Sequence, residues 1–152
     1  MEIFIGSDHA GFDTKEKIKK YFKERGVDYE DLGVGKLEKL DDYPIFAFRV
    51  AEKVAKSKGK SFGILVCGTG TGMAIAANKV PGIRAVAAYD AYSAKMSRLD
   101  NNANILGLRG RNFSFNKIKK IINTWLNTSF SFEERHKRRL RKIEMYESKR
   151  FK

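Results

Sequence analysis

The run Leu65-Val66-Cys67-Gly68-Thr69-Gly70-Thr71-Gly72-Met73, continued by Ala74-Ile75-Ala76-Ala77-Asn78-Lys79, constrains this chain more than any other stretch. Phe62-Gly63-Ile64-Leu65-Val66 is short and apolar, as a buried strand is. Three glycines then alternate with two threonines, and small residues from Met73 onward read as a helix. A strand, a glycine-rich turn and a helix in that order suit an open parallel sheet. In such sheets ligands bind outside the carboxyl ends of the strands. The single cysteine, Cys67, stands at that end. Backbone N–H groups of the glycine turn can converge there on an anion or a developing oxyanion.

The rest of the chain repeats the alternation. Ile3-Phe4-Ile5 reads as a first strand, followed by a helix carrying Thr14, Ile18, Tyr21 and Phe22, with Gly26 past its end. Val27 to Leu32 reads as strand two, residues 36–42 as a polar loop, and Tyr43-Pro44 as the start of a helix. Strand three spans Phe62 to Val66, with a helix continuing to about Val80. Ile83 to Ala88 and Ala103 to Gly107 read as strands four and five, separated by a helix over Tyr92 to Asp100. Ile118, Ile121, Ile122 and Trp125 mark an amphipathic helix. The expected fold is α/β, a doubly wound parallel sheet over residues 1–130. Ser131 and Glu134 have capping-box spacing and open a last helix, 131–152. Its apolar positions, Leu140, Ile143, Met145, Tyr146 and Phe151, make a thin stripe. A helix of this kind is expected to extend from the domain and pack on a second subunit.

The 152 residues suit one domain. No apolar run approaches the ~20 residues of a membrane helix, and the start of the chain does not read as a signal peptide. One cysteine allows no intrachain disulfide, which fits the cytoplasm. The formal charge of +13 is uneven, with a net +9 in residues 111–152 and +4 in the rest. No RNA-binding, zinc-ligand or heptad-plus-basic pattern accompanies that charge, so no nucleic-acid partner is expected.

Cys67 has two readings. It is a small buried hydrophobe, or a thiol whose ionisation the following helix favours and which moves a proton. Gly68, Gly70 and Gly72 do not fit the dinucleotide fingerprint, because position 73 is Met, and no P-loop lysine follows. Asp8-His9 ends strand one at the same sheet edge. With one cysteine and two histidines, His9 and His136, no transition-metal site is expected. Arg135 and Arg139 are four apart on the last helix. They are either part of a solvated basic face or two guanidinium forks for a phosphate. Together these residues equip a site for proton abstraction beside a carbonyl of a small phosphorylated substrate.

Gly6-Ser7-Asp8-His9-Ala10-Gly11, Asp42-Tyr43-Pro44, Cys67 to Gly72, Ala76-Ala77-Asn78-Lys79, Gly82-Ile83-Arg84-Ala85, Ser97-Arg98 with Asn101, and Arg135-His136 with Arg139 resemble the B-type ribose-5-phosphate isomerases. That family includes the galactose- and allose-6-phosphate isomerases. The resemblance covers nearly the whole chain. It implies a Rossmann-like sheet of five parallel strands and a homodimer or tetramer with sites shared between subunits. It implies no cofactor and no metal. Cys67 becomes the base moving a proton between C1 and C2, with Thr69 near the reacting hydroxyls. The amides of Gly68, Thr69, Gly70, Thr71, Gly72 and Met73 would hold an enediolate. Asp8, Tyr43 and Asn101 become substrate contacts. His9, Arg111, Arg135 and Arg139 become phosphate contacts.

Two positions depart from the family pattern. The run Ser97-Arg98-Leu99-Asp100-Asn101 carries Asp100 where the family has a histidine that opens the sugar ring. Asp100 then takes over ring opening, or the enzyme uses substrate that is already open, or the substrate is not ribose 5-phosphate, since an ordinary exposed carboxyl, pKa about 3.9, is a poor acid at neutral pH unless burial raises it. Glu133-Glu134 replaces a pair of glycines and alters the entry to the tail. The expected activity is aldose–ketose isomerisation of ribose 5-phosphate. The alternatives are a hexose 6-phosphate isomerase or a sugar-phosphate-binding subunit without activity.

Overall fold

Five strands form one all-parallel sheet in the order β2-β1-β3-β5-β4. The structure is a computed structural model and describes residues 2–33, 35–36 and 41–150. Most of the polar loop expected over 36–42, and Phe151 of the last helix, lie outside the described residues. The strands are β1 (Glu2–Ser7), β2 (Tyr29–Asp31), β3 (Ser61–Cys67), β4 (Ala85–Ala87) and β5 (Ile105–Arg109). The helices are α1 (Phe12–Glu24), α2 (Tyr43–Lys56), α3 (Thr71–Ala77), α4 (Ala91–Leu99), α5 (Phe115–Leu126) and α6 (Glu134–Arg150). Among the described residues no helix is long and apolar enough to cross a membrane.

β3 is buried along its whole length, which is why it reads as a continuous apolar run. Its alternate side chains feed two cores. Phe62, Ile64 and Val66 face α1, α4 and α5, joining Ile18, Phe22, Ile122 and Trp125. Leu65 and Cys67 face α2 and α3, joining Phe46, Val50, Met73 and Ala77. α5 buries the Ile118, Ile121, Ile122 and Trp125 stripe that its spacing predicts.

Some boundaries move. β5 starts at Ile105 rather than Ala103, because the backbone N–H of Ala103 donates to Ser97 O and that of Asn104 to Arg84 O, outside the ladder. α3 stops at Ala77 because Asn78 turns to hold β4. Its side chain donates to Ala85 O at 2.8 Å and accepts from Ala85 N at 2.7 Å. The capping box does not form. Ser131 Oγ instead meets the His136 ring and the N–H of Glu133, while Glu134 pairs with Lys137. The chain enters α6 through Phe132, whose φ is 56°. α6 lies along its own domain on one side, burying His136 and Leu140 and accepting the Gly82 N–H at Glu147 Oε2, 2.8 Å. Ile143, Met145 and Tyr146 on α6 are exposed.

Candidate active site

Three strand ends build the site. Past β3, the N–H of Gly110 donates to Cys67 O at 2.8 Å and that of Arg111 to Gly68 O at 3.2 Å. These bonds prolong the β3–β5 pairing beyond the strands and lock the glycine turn to the loop after β5. Gly70 has φ 83°, and a Cβ there would stand 2.9 Å from the Leu108 backbone. Only glycine fits both demands. The turn so shaped aims the Gly70 N–H at Cys67 Sγ, 3.1 Å away. Cys67 is 5% exposed, a free thiol at the floor of a cleft.

That cleft has a volume of about 380 Å³ and is lined by Asp8, His9, Ala10, Tyr43, Cys67, Gly68, Thr69, Thr71, Gly72 and Arg111. So β1, β3, the start of α2 and the loop after β5 bring together eight of the expected site residues besides Cys67. Tyr43 lies over the start of α3, its ring about 3.0 Å from where a Cβ on Gly72 would sit. Arg111 lies over Gly68 in the same way, at 3.5 Å. Thr69 Oγ1 and Thr71 Oγ1 are 2.7 Å apart. A second hollow of about 650 Å³ adjoins the cleft through His9, Ala10 and Arg111. Met73 is different: its side chain is fully buried in the α2–α3 core, so only its backbone can serve a ligand.

Asp8 caps the turn after β1, accepting the Gly11 N–H at 2.9 Å. Burial pushes its carboxyl above the ordinary value, and the nearby Asp41 adds to that, while the Gly11 N–H and His9 work against it. His9 Nδ1 is hydrogen-bonded to Asp41 Oδ1, whose side chain is 6% exposed. The sequence reading did not single out Asp41. Two aspartates precede Tyr43, and nothing in their order marks the one that turns inward. Asp8, His9 and Asp41 are the group among the described residues whose ligand atoms, within 4.8 Å of one another, could hold a metal ion. Here His9 Nδ1 and Asp41 Oδ1 hold each other and Asp8 Oδ1 accepts from the Gly11 N–H, while the buried Asp41 Oδ2 has no hydrogen-bond partner among the described residues.

Four expected residues lie elsewhere in the chain. Among the described residues, the lining of the Cys67 cleft includes neither Asp100 nor Asn101, Arg135 or Arg139. Asp100 caps α4 and faces His136 of α6, Oδ1 to Nε2 3.7 Å. Asn101, Arg135 and Arg139 are exposed. Arg135 Nε donates to Glu133 Oε2 at 2.8 Å, so one of the departures from the family pattern engages an expected phosphate ligand. Ser97 and Arg98 of the same run are structural. Ser97 Oγ accepts the Trp125 Nε1–H, and the Arg98 guanidinium donates to Ala103 O at 2.6 Å over the Phe62 ring. Burial, with Arg84 nearby, pushes Arg98 down to about 10.

The model of the family described as Ribose/Galactose Isomerase matches residues 3–143. The chain belongs to this family. It is 42% identical over 147 residues to the probable ribose-5-phosphate isomerase B of Mycoplasma genitalium, covering 97% of this chain and 96% of that protein. It is also 42% identical over 132 residues to D-erythrulose-4-phosphate isomerase 2 of Mycolicibacterium smegmatis, 86% of each. The crystal structure of the Mycoplasma genitalium enzyme with bound ribulose-5-phosphate superposes with a TM-score of 0.92 at 41% identity, covering 97% and 96% of the two chains. The chain is an aldose–ketose isomerase of the ribose-5-phosphate isomerase B type, and its sheet is the Rossmann-like one expected from the sequence.

Proposed function

We propose that this enzyme interconverts ribose 5-phosphate and ribulose 5-phosphate, with Cys67 as the base. The observation that carries this is the Gly70 N–H donating to a buried Cys67 sulfur at the floor of a polar cleft. The thiolate takes the C2 proton of the open-chain aldose, and the electron pair forms the C1–C2 double bond of a cis-enediolate as O1 takes up the charge; the O2 hydroxyl proton passes to O1, and the thiol returns its proton to C1 as C2–O2 becomes the carbonyl. Charge builds on O1 during this step. The amides of the Gly68–Met73 turn, apart from the Gly70 N–H that holds the sulfur, are the donors for that charge, and a donor of this kind contributes about 3–4 kcal/mol to a barrier. Thr69 and Asp8 serve the reacting hydroxyls, and Tyr43 closes one wall.

His9, braced by Asp41, and Arg111 offer cationic or donor groups at the end of the cleft toward the larger hollow, where a phosphate fits. Arg135 and Arg139 complete the phosphate site, and Asp100 and Asn101 the ring end, from a second copy of the chain. The absence of these four from the described lining of the cleft supports that division. The exposed apolar residues Ile143, Met145 and Tyr146 on α6 give the second copy a surface to meet.

A coupled assay on ribose 5-phosphate, allose 6-phosphate and galactose 6-phosphate tests the substrate. Turnover of the pentose phosphate at a kcat/KM well above both hexose phosphates is expected. A preference for either hexose phosphate would overturn the assignment.

A further inference from the structure

His136 is a buried imidazole that the chemistry above leaves without a task. It is 2% exposed in the first turn of α6, with Phe130 beside it and Leu140 one turn on. Its Nδ1 lies 2.7 Å from Ser131 Oγ, and the N–H of Glu133 donates to that same oxygen at 3.3 Å. A hydroxyl that accepts from an amide still has its own proton to give. With Ser131 donating to Nδ1, the imidazole presents an N–H at Nε2. That proton faces Asp100 Oδ1 across 3.7 Å. The segment is held in place by the Ser131 N–H, which donates to Leu99 O at 3.0 Å, one residue before Asp100. Asp100 is about one-third exposed, so its carboxylate has one oxygen toward His136 and room for a ligand.

We propose that Ser131, His136 and Asp100 form a chain in which His136 is the positioning residue for ring opening by Asp100. This rests on the proposed activity toward a sugar phosphate that closes a ring. In ring opening the bond between C1 and the ring oxygen breaks, and its electron pair stays on that oxygen. The C1 hydroxyl loses a proton as the carbonyl forms, and the ring oxygen gains one. Both oxygens are bonded to C1, so a single carboxylate that takes the first proton can hand it to the second, with no net change. The requirement is a carboxylate held at one orientation. A donor beside Oδ1 supplies that, and the buried imidazole fixed by Ser131, with Nε2 3.7 Å from Oδ1, is the group placed to do so.

Full-length enzyme carrying His136→Leu, His136→Gln or Asp100→Asn tests this on ribose 5-phosphate, with the rate followed as enzyme concentration is raised. Glutamine keeps a donor near Nε2, whereas leucine fills the space without one. If His136 serves ring opening, the leucine variant loses about tenfold or more in kcat/KM. Its rate also stops rising with enzyme, because spontaneous ring opening then limits the supply of aldehyde. Asp100→Asn shows the same plateau, adding it to the leucine variant costs nothing further, and glutamine restores proportionality. A purely structural role predicts a lowered rate that stays proportional to enzyme, with a lowered unfolding temperature, and that result overturns the proposal. So does an unchanged rate, or a wild-type enzyme that itself reaches the spontaneous plateau. A wild-type enzyme without ribose 5-phosphate turnover refutes the proposed substrate, and this inference with it.

Discussion

Replacing Cys67 is the sharpest perturbation, because its effects on shape and on chemistry separate. Cys67→Ser keeps an acceptor near the Gly70 N–H, which now donates to sulfur at 3.1 Å. The hydroxyl ionises only far above the range of a thiol, so the base is lost while the hydrogen bond survives. Cys67→Ala removes both. A general base contributes about 10²–10⁴ to the rate, so kcat should fall by that factor, about 3–5 kcal/mol on the barrier. KM should stay within a few-fold, because Asp8, Tyr43 and Arg111 still line the cleft. The folded state should barely notice. One atom leaves the edge of the α2–α3 core, at a residue that already touches the cleft. A truncation of that size costs about 1 kcal/mol, or about 2–4 °C in the unfolding midpoint. The assay is initial rates in both directions beside a thermal melt. Retention of more than about a tenth of wild-type kcat by the alanine variant would mean that another group moves the proton. A collapse of the melt would mean that the sulfur is structural.

Three further outcomes are expected. Cys67→Ala mixed with a double Arg135→Ala, Arg139→Ala variant, each inactive alone, should recover roughly a quarter of wild-type activity after subunit exchange, since half of the dimers then carry one intact site; no recovery refutes the shared site. Glu133→Gly frees Arg135 from the carboxylate that accepts its Nε–H and should lower KM by up to about fivefold, the limit for an exposed pair worth at most ~1 kcal/mol; a raised KM counts against Arg135 as a phosphate ligand. Asp31→Asn removes the carboxylate 2.7 Å from the Nζ of the fully buried Lys15 and should cost about 3 kcal/mol in denaturant unfolding. Burial alone would raise the Asp31 carboxyl, but hydrogen bonds from Lys15 and Lys19 outweigh it and hold the carboxyl below its ordinary value. Its contribution is therefore complete above about pH 4 and lost as pH falls through the lowered value, so the asparagine variant should show a shallower acid limb in its stability curve.

Element type was legible where one period dominated. The α5 stripe and the apolar run of β3 report directly which faces are buried. Strand order was not legible. β5 inserts between β3 and β4, and nothing within either strand names its neighbour. The same division runs through the site. Asp8, His9, Cys67 and the glycine turn were readable because each sits at a strand end, and in a parallel sheet those ends share one edge. Asp41 and the inward turn of His136 were not, because what defines each is a partner 32 or 36 residues away along the chain.

Those two pairs also explain why the sequence reading of the tail was incomplete. Charge spacing marked Arg135 and Arg139, which are exposed, and passed over the residue between them that is buried. A histidine amid six basic residues looks like one more solvated charge. Burial fixes its ring instead, with Nε2 3.7 Å from Asp100, the carboxylate at one of the two positions that depart from the family pattern. If an aspartate there is to do the work of a histidine, it needs a neighbour to set its orientation. α6 supplies that neighbour from the same turn that carries the expected phosphate ligand Arg135. The departure at 100 and the geometry at 136 are therefore one feature, and a change at either should be read in the kinetics of the other.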